Sequence, residues 1–422
     1  MIISVCADAN NNHAENREMS GLKKTVAFML ALIMVVLSAA ALAETRVNAA
    51  EKRNITIHKA GLNEVEDGIS PTTGLTLADL EGPDGFAGLA MTGVYMPILV
   101  QIDNSFGGLN MQLKEVQQKL GETGNCVAPW YASYADVIYE TPLYKRGTTR
   151  MSMLYSDLIP EYVGPVRSAR VNHVWIREEW DCAFAHHGGQ KYRQTSIDTQ
   201  FRELGADKKG VVFDGTTGAK VWNNYIKASE ILTSPHNRYY EAAGLVTQVV
   251  PEDFKPANHT YKFADEAHEG GDSGEGIYIT WGDKEYDTYL EWDDLDEVYY
   301  RYINKNPQNP VLYTETLPLI YKSDKPSDPA NVGNPITFAN VIVQFMNIEY
   351  PSIDAPLPTV TGTGNCEVFQ CGRHYSGVWN RDTLQERTVF YDENGEEFPM
   401  QRGHTLIIMM DYQTEGRSVI YN

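Results

Sequence analysis

Two kinds of hydrophobic pattern alternate along this chain. Short apolar runs of strand length occur at Pro97–Asp103, Ala135–Glu140, Arg150–Tyr155 and Cys182–His186, each bounded by Gly, Pro or polar residues as strands are. From Ser168 onward, Val171, Val174, Trp175 and Trp180 fall near helical spacing, which predicts a helix of about 12 residues capped by Ser168. Leu113, Val116 and Leu120 predict another within Met111–Leu120. Strand, helix and strand in succession point to an α/β layer. After Pro251, Pro256 and the Gly270-Gly271-Asp272-Ser273-Gly274 stretch, helical spacing stops. Six strands rich in aromatic and branched residues are then expected, at Ile277–Trp281, Val298–Tyr302, Asn340–Phe345, Glu367–Phe369, Thr388–Tyr391 and Thr405–Met410.

The N-terminal region follows a different rule. Lys23 and Lys24 precede an apolar run from Val26 to Ala43 that ends in Ala41-Leu42-Ala43 before Glu44. These are the parts of a secretory signal, although an uncleaved run of this length would also serve as a membrane anchor. Met19, directly before the basic pair, is the expected start, because residues 1–18 are polar and acidic. Residues 44–90, punctuated by Ser70-Pro71 and Gly82-Pro83-Asp84-Gly85, read as a polar tether. The rest exceeds the size at which one core usually divides. The expectation is therefore a signal at 19–43, a tether at 44–90, an α/β N-terminal domain at 91–250 and a mainly β C-terminal domain at 270–415, α+β overall.

Charge narrows the function classes. With 35 basic and 56 acidic residues the formal charge is −21, which repels polyphosphate and argues against nucleic-acid binding. An acidic cluster at Glu291–Glu297 admits either a Ca²⁺ loop or a solvated turn. Beyond the signal, Cys126, Cys182, Cys366 and Cys371 are too few for a disulfide scaffold in so long a chain, so free thiols are expected. Cys371 and His374 form a C-x₂-H pair with no second pair nearby, and no metal is expected. The phosphate-loop, dinucleotide and zinc-protease motifs are all absent, and no cofactor is expected.

Five short motifs occur in order: Ala135-Asp136-Val137-Ile138-Tyr139-Glu140, Gly147-Thr148-Thr149-Arg150, Gly164-Pro165-Val166-Arg167-Ser168-Ala169-Arg170, His187-Gly188-Gly189 and Ser234-Pro235-His236-Asn237. In these the chain resembles the YerB-like family of predicted bacterial lipoproteins, which have an N-terminal and a C-terminal domain of unknown function. Asn340–Phe345 and Phe369–Trp379 are similar to the family's second domain. The resemblance implies a bacterial cell-envelope protein and supplies no activity. No lipobox cysteine lies between Leu30 and Ala50, and Ala128-Pro129-Trp130-Tyr131-Ala132 lacks the Arg and Gln associated with that place in the family. Lipid anchoring is therefore not carried over.

The candidate site follows from the same motifs. Arg167 and Arg170 flank Ser168 at an expected helix start, where unpaired backbone N–H groups and guanidinium forks favour a phosphate or carboxylate. Arg150 offers a third fork. The arginines could instead pair with Asp136 and Glu140 and simply pin loops. His187 and Gly188 stand where a strand runs out, and His236 and Asn237 occupy a similar setting; each histidine is either a general acid or base or a structural residue. Ser234 lacks a G-x-S-x-G elbow. The leading expectation is an envelope protein of uncertain catalytic status that binds an anionic glycan, peptide or small ligand through Arg150, Arg167, Ser168, Arg170, His187, Gly188, His236 and Asn237. The alternative is a hydrolase or transferase acting on a cell-wall polymer, with His187 or His236 as acid or base. Membrane association is expected only if the signal is retained.

Overall fold

The computed structural model describes residues 44–104, 126–191, 196–216, 240–283, 286–303, 311–316 and 332–422. The expected helix at Met111–Leu120 and the signal at 19–43 lie outside them. In chain order the principal elements are β1 (Ile98–Asn104), β2 (Val137–Pro142), β3 (Thr149–Tyr155), α1 (Val171–Trp180), β4 (Ala183–His186), α2 (Ile197–Glu203) and β5 (Val212–Asp214). They continue as β6 (Gly276–Trp281), β7 (Thr288–Asp293), β8 (Val298–Ile303), β9 (Val311–Thr316), β10 (Asn340–Phe345), β11 (Gly362–Gln370), β12 (Arg373–Arg381), β13 (Val389–Tyr391), β14 (Thr405–Met410) and β15 (Arg417–Tyr421). The described chain is mostly β, and its helices are few and short.

The main sheet runs in the order β13-β12-β11-β10-β14-β2-β3-β1-β4-β5. Strands β1, β4 and β5 are mutually parallel, as are β2, β14 and β10, while β3 is antiparallel to both β1 and β2. One face carries α1 and α2 over Leu99, Val137, Leu154, Phe184, Ile342 and Ile407. The other packs Val100, Ile138, Met153, Val343 and Ile408 against Trp281, Leu290, Tyr299 and Val419 of a second, antiparallel sheet, β15-β6-β7-β8-β9. This layering explains the two hydrophobic patterns. Thr405–Met410 is buried on both faces and so reads as a continuous run, whereas β6 alternates because one face of its sheet meets solvent.

Three expectations are corrected here. First, the halves 91–250 and 270–415 are not separate bodies: β14 lies parallel between β10 and β2, so one sheet runs through both, and Arg46–Tyr421 forms one compact unit. Strands buried on both faces also need neighbours at both edges, and here the neighbours come from opposite ends of the chain. Second, α1 begins at Val171 with Arg170 as its N-cap, and the Ser168 hydroxyl donates to the His187 carbonyl instead. Third, residues 44–90 have little regular structure yet are no loose tether. Ser70, Thr72 and Thr73 are buried, with Ser70 Oγ and Thr73 Oγ1 donating to Asp157 at 2.7 and 2.6 Å.

Candidate functional site: an arginine cluster at the carboxyl edge of the main sheet

Strand direction decides where the chemistry gathers. Because β3 is antiparallel to its neighbours, its first residues lie beside the last residues of β1 and β2, and the register places Arg150 between Asp103 and Thr141. Strands β4 and β5 end at the same edge, at His186 and Asp214. Parallel strands commonly present ligands at this edge.

The segment 165–169 closes the edge from outside. The Arg167 N–H donates to the Gln101 carbonyl and the Asp103 N–H to Pro165, at 2.8 and 3.0 Å. On its other side, the Ala169 and His187 N–H groups bond the Gly188 and Arg167 carbonyls, each at 3.0 Å. Three guanidinium groups are thereby brought together. Arg150 Nη1 donates to the Ser168 carbonyl at 3.2 Å, Arg170 Nη1 reaches the same oxygen at 3.4 Å, and Arg167 Nε sits 2.9 Å from Asp103 Oδ2. Arg170 is also held by the Asp354 carbonyl at 2.8 Å and its carboxylate at 3.4 Å.

The electrostatics are those of crowded, desolvated cations. Burial pushes the Arg150 guanidinium down to about 10, with Arg170 and Arg167 adding to the effect and Asp103 opposing it. Burial lowers Arg170 as well, against the pull of Asp354. Arg150 is 4% exposed, whereas the Arg167 side chain keeps 24% of its surface. Of the two carboxylates in contact among the described residues, Asp103 is buried and Asp354 is 44% exposed. Asp136 and Glu140 do not pair with these arginines: Asp136 accepts from Ser156 and the Asp157 N–H, and Glu140 accepts from Asn104, Thr149 and Arg301.

Two histidines frame the cluster. His173 Nδ1 accepts the Arg170 N–H at 2.9 Å, which leaves the ring proton on Nε2, 3.1 Å from Thr141 Oγ1. Burial holds its pKa well below the ordinary value, and Arg150 and Arg170 push the same way, so it stays neutral. His187 Nδ1 lies 2.9 Å from Tyr240 Oη. The Tyr240 hydroxyl donates to the His186 carbonyl at 3.1 Å, so the His187 contact is satisfied by an Nδ1–H donor. The Gly188 N–H donates to Asp214 Oδ1 at 2.8 Å.

Arg150, Arg167, Ser168, Arg170, His187 and Gly188 thus share one edge, while His236 and Asn237 lie outside the described residues. Sequence reasoning missed Asp103, His173, Tyr240, Asp214 and Asp354. Asp103 had a usable signal, being the polar end of an apolar run; Asp354, 184 positions from Arg170, had none. Among the described residues, no group of His, Cys, Asp and Glu is arranged to hold a metal, and no helix is long and apolar enough to cross a membrane. Chemically, the edge presents guanidinium donors and positive charge of the kind that pairs with an oxyanion.

Residues 132–255 match the family model described as protein of unknown function (DUF3048) N-terminal domain, and 277–407 match its C-terminal counterpart. Together these matches cover more than half of the chain. The chain belongs to the YerB-like family of DUF3048 proteins. Its similarity to YerB of Bacillus subtilis strain 168, described as a predicted lipoprotein, is 30% identity over 136 residues, 31% of this chain and 40% of that protein. The crystal structure of B. subtilis YerB superposes with a TM-score of 0.55 at 18% identity, covering 83% of this chain and 99% of that one, and so shares the fold. The arginine cluster of this YerB-like chain lies within the N-terminal family segment, whereas Asp103, the partner of Arg167, and Asp354, the partner of Arg170, lie outside it.

Proposed function

We propose that this protein works outside the cytoplasm, in the bacterial envelope, by binding the anionic group of an envelope glycan, peptide or small ligand at Arg150, Arg167 and Arg170. The supporting observation is the charge count at the site. Arg150 and Arg170 share the Ser168 carbonyl and Arg167 pairs with Asp103, the one buried carboxylate in contact with the three among the described residues, and an incompletely neutralised buried cation is unfavourable by several kcal/mol until an anion joins it. Arg167, the most exposed of the three, is the first contact. In this reading the N-terminal family segment supplies an α/β edge for the ligand and the C-terminal segment a β framework. The envelope location is supported by the signal-like residues 19–43 and by the lipoprotein description of the Bacillus relative. Calorimetric titration of the mature protein with phosphorylated and carboxylated wall fragments tests the site. Binding should occur with wild type and fall by at least about tenfold in Arg167→Ala, the loss of one charge-assisted contact. Equal affinity in both proteins would remove the arginines from ligand binding.

A second reading, a hydrolase or transferase acting on a cell-wall polymer, is favoured by one observation: Tyr240 holds His187 beside Ser168 at the same edge. Incubation with purified wall material separates the two. Released fragments would establish catalysis, and binding without release would leave the protein a receptor.

A further inference from the structure

We propose that the outer face of the second sheet is a docking surface for a basic, Lys/Arg-rich polypeptide segment. Cross-strand register puts Ile420, Tyr278, Tyr289, Tyr302 and Leu312 in one row across β15, β6, β7, β8 and β9. Their neighbours along each strand, among them Ile277, Leu290, Arg301 and Val419, face the core, whereas the row itself is half-exposed. At ~4.8 Å per strand the row is ~19 Å long. The Tyr289 and Tyr302 rings lie 5.9 Å apart at 42°, and both residues are partly exposed.

Charge selects the occupant. The adjoining row pairs Glu291 with Tyr300, and the turn between β7 and β8 carries the exposed Asp294, Asp296 and Glu297. The basic residues within these five strands, Arg301 and Arg417, are turned inward and paired with Glu140 and Asp411. The face therefore combines aromatic rings with carboxylates and offers no cation of its own from the strands. Guanidinium and ammonium groups gain from both components, through ring quadrupoles and long-range attraction. Nucleic acid would be repelled. A neutral glycan would use only the rings.

The test is fluorescence anisotropy with a labelled oligoarginine peptide, at low and at physiological salt, on the mature full-length chain. Wild type should bind, and Tyr289→Ser/Tyr302→Ser should weaken binding by roughly five- to thirtyfold with its salt dependence kept, the loss of two cation–π contacts. Glu291→Gln should flatten the salt dependence, while Glu64→Gln, an exposed acid of the 44–90 segment, should change neither quantity. Tyr302→Ser alone, checked by thermal unfolding, gives the same readout if the double variant folds poorly. Equal effects of Glu64→Gln and the tyrosine substitutions would reduce the interaction to diffuse charge and overturn the proposal. So would tyrosine-dependent binding of a neutral polysaccharide without peptide binding, which would make the face a glycan platform.

Discussion

At the scale of single residues, burial decides what the ionisable groups do. His173 is fully buried, and its pKa is driven down by burial and then by Arg150 and Arg170; burial also lowers His186, against Asp214. In the unfolded chain each titrates near ~6.5. A histidine whose folded value is depressed gives its full stability above the unfolded value and loses it as pH falls toward the folded one. Unfolding free energy from urea titrations should therefore drop below pH ~6.5, by up to about 1.4 kcal/mol per pH unit for each histidine. Asp136 acts in the opposite sense. Burial and then Asp157 raise it well above the ordinary carboxyl value, so its contribution is complete below ~3.9 and fades as pH rises through the folded value. Comparing wild type with His173→Gln isolates one histidine, and the variant should show the shallower slope. A parallel pair of curves would mean that His173 is already charged in the folded protein.

Elements set the site through close contacts that only small residues permit. A Cβ at Gly215 would lie 1.8 Å from Tyr240 Oη and 2.4 Å from His187 Nδ1. Gly215→Ala must then displace Tyr240, at a cost of about 1–3 kcal/mol from overpacking, measured by denaturant unfolding. Ligand affinity should fall with it if the Tyr240–His187 link supports the edge. The start of α1 makes a related point. Ser168 has the residue type of an N-cap, and a sequence reader places it there. The register of 165–169 against β1 and His187–Gly189 uses Ser168 elsewhere, and His173 satisfies the Arg170 N–H in its place. His173→Ala should cost at least about 1 kcal/mol through loss of that cap acceptor. Thermal unfolding of the purified variant measures it, and an unchanged midpoint would show that the cap contributes nothing.

For the whole molecule, the buried ion pair Arg301–Glu140 joins β8 of the second sheet to β2 of the main one at 2.9 Å, both side chains being 2% exposed or less. Arg301→Met should destabilise the protein by about 3–5 kcal/mol, because it strands a buried carboxylate, and Arg301→Met with Glu140→Gln should recover part of the loss. Urea unfolding of the two variants checks this, and an equal or greater loss in the double substitution would place the cost in packing. The sequence by itself determined the local elements: hydrophobic period and turn residues marked β1, β3, β10 and β14 within a residue or two, because those signals act over a few neighbours. It also grouped Arg150, Arg167, Arg170 and His187 as one candidate site. Only the tertiary structure decided that the two family segments share a sheet, that Glu140 belongs to Arg301, that Asp103 and Asp354 flank the arginines, and that three tyrosines align across strands. Each of these depends on which strands become neighbours and in what register. That choice rests on burying both faces of strands contributed by distant parts of the chain, and no local pattern records it.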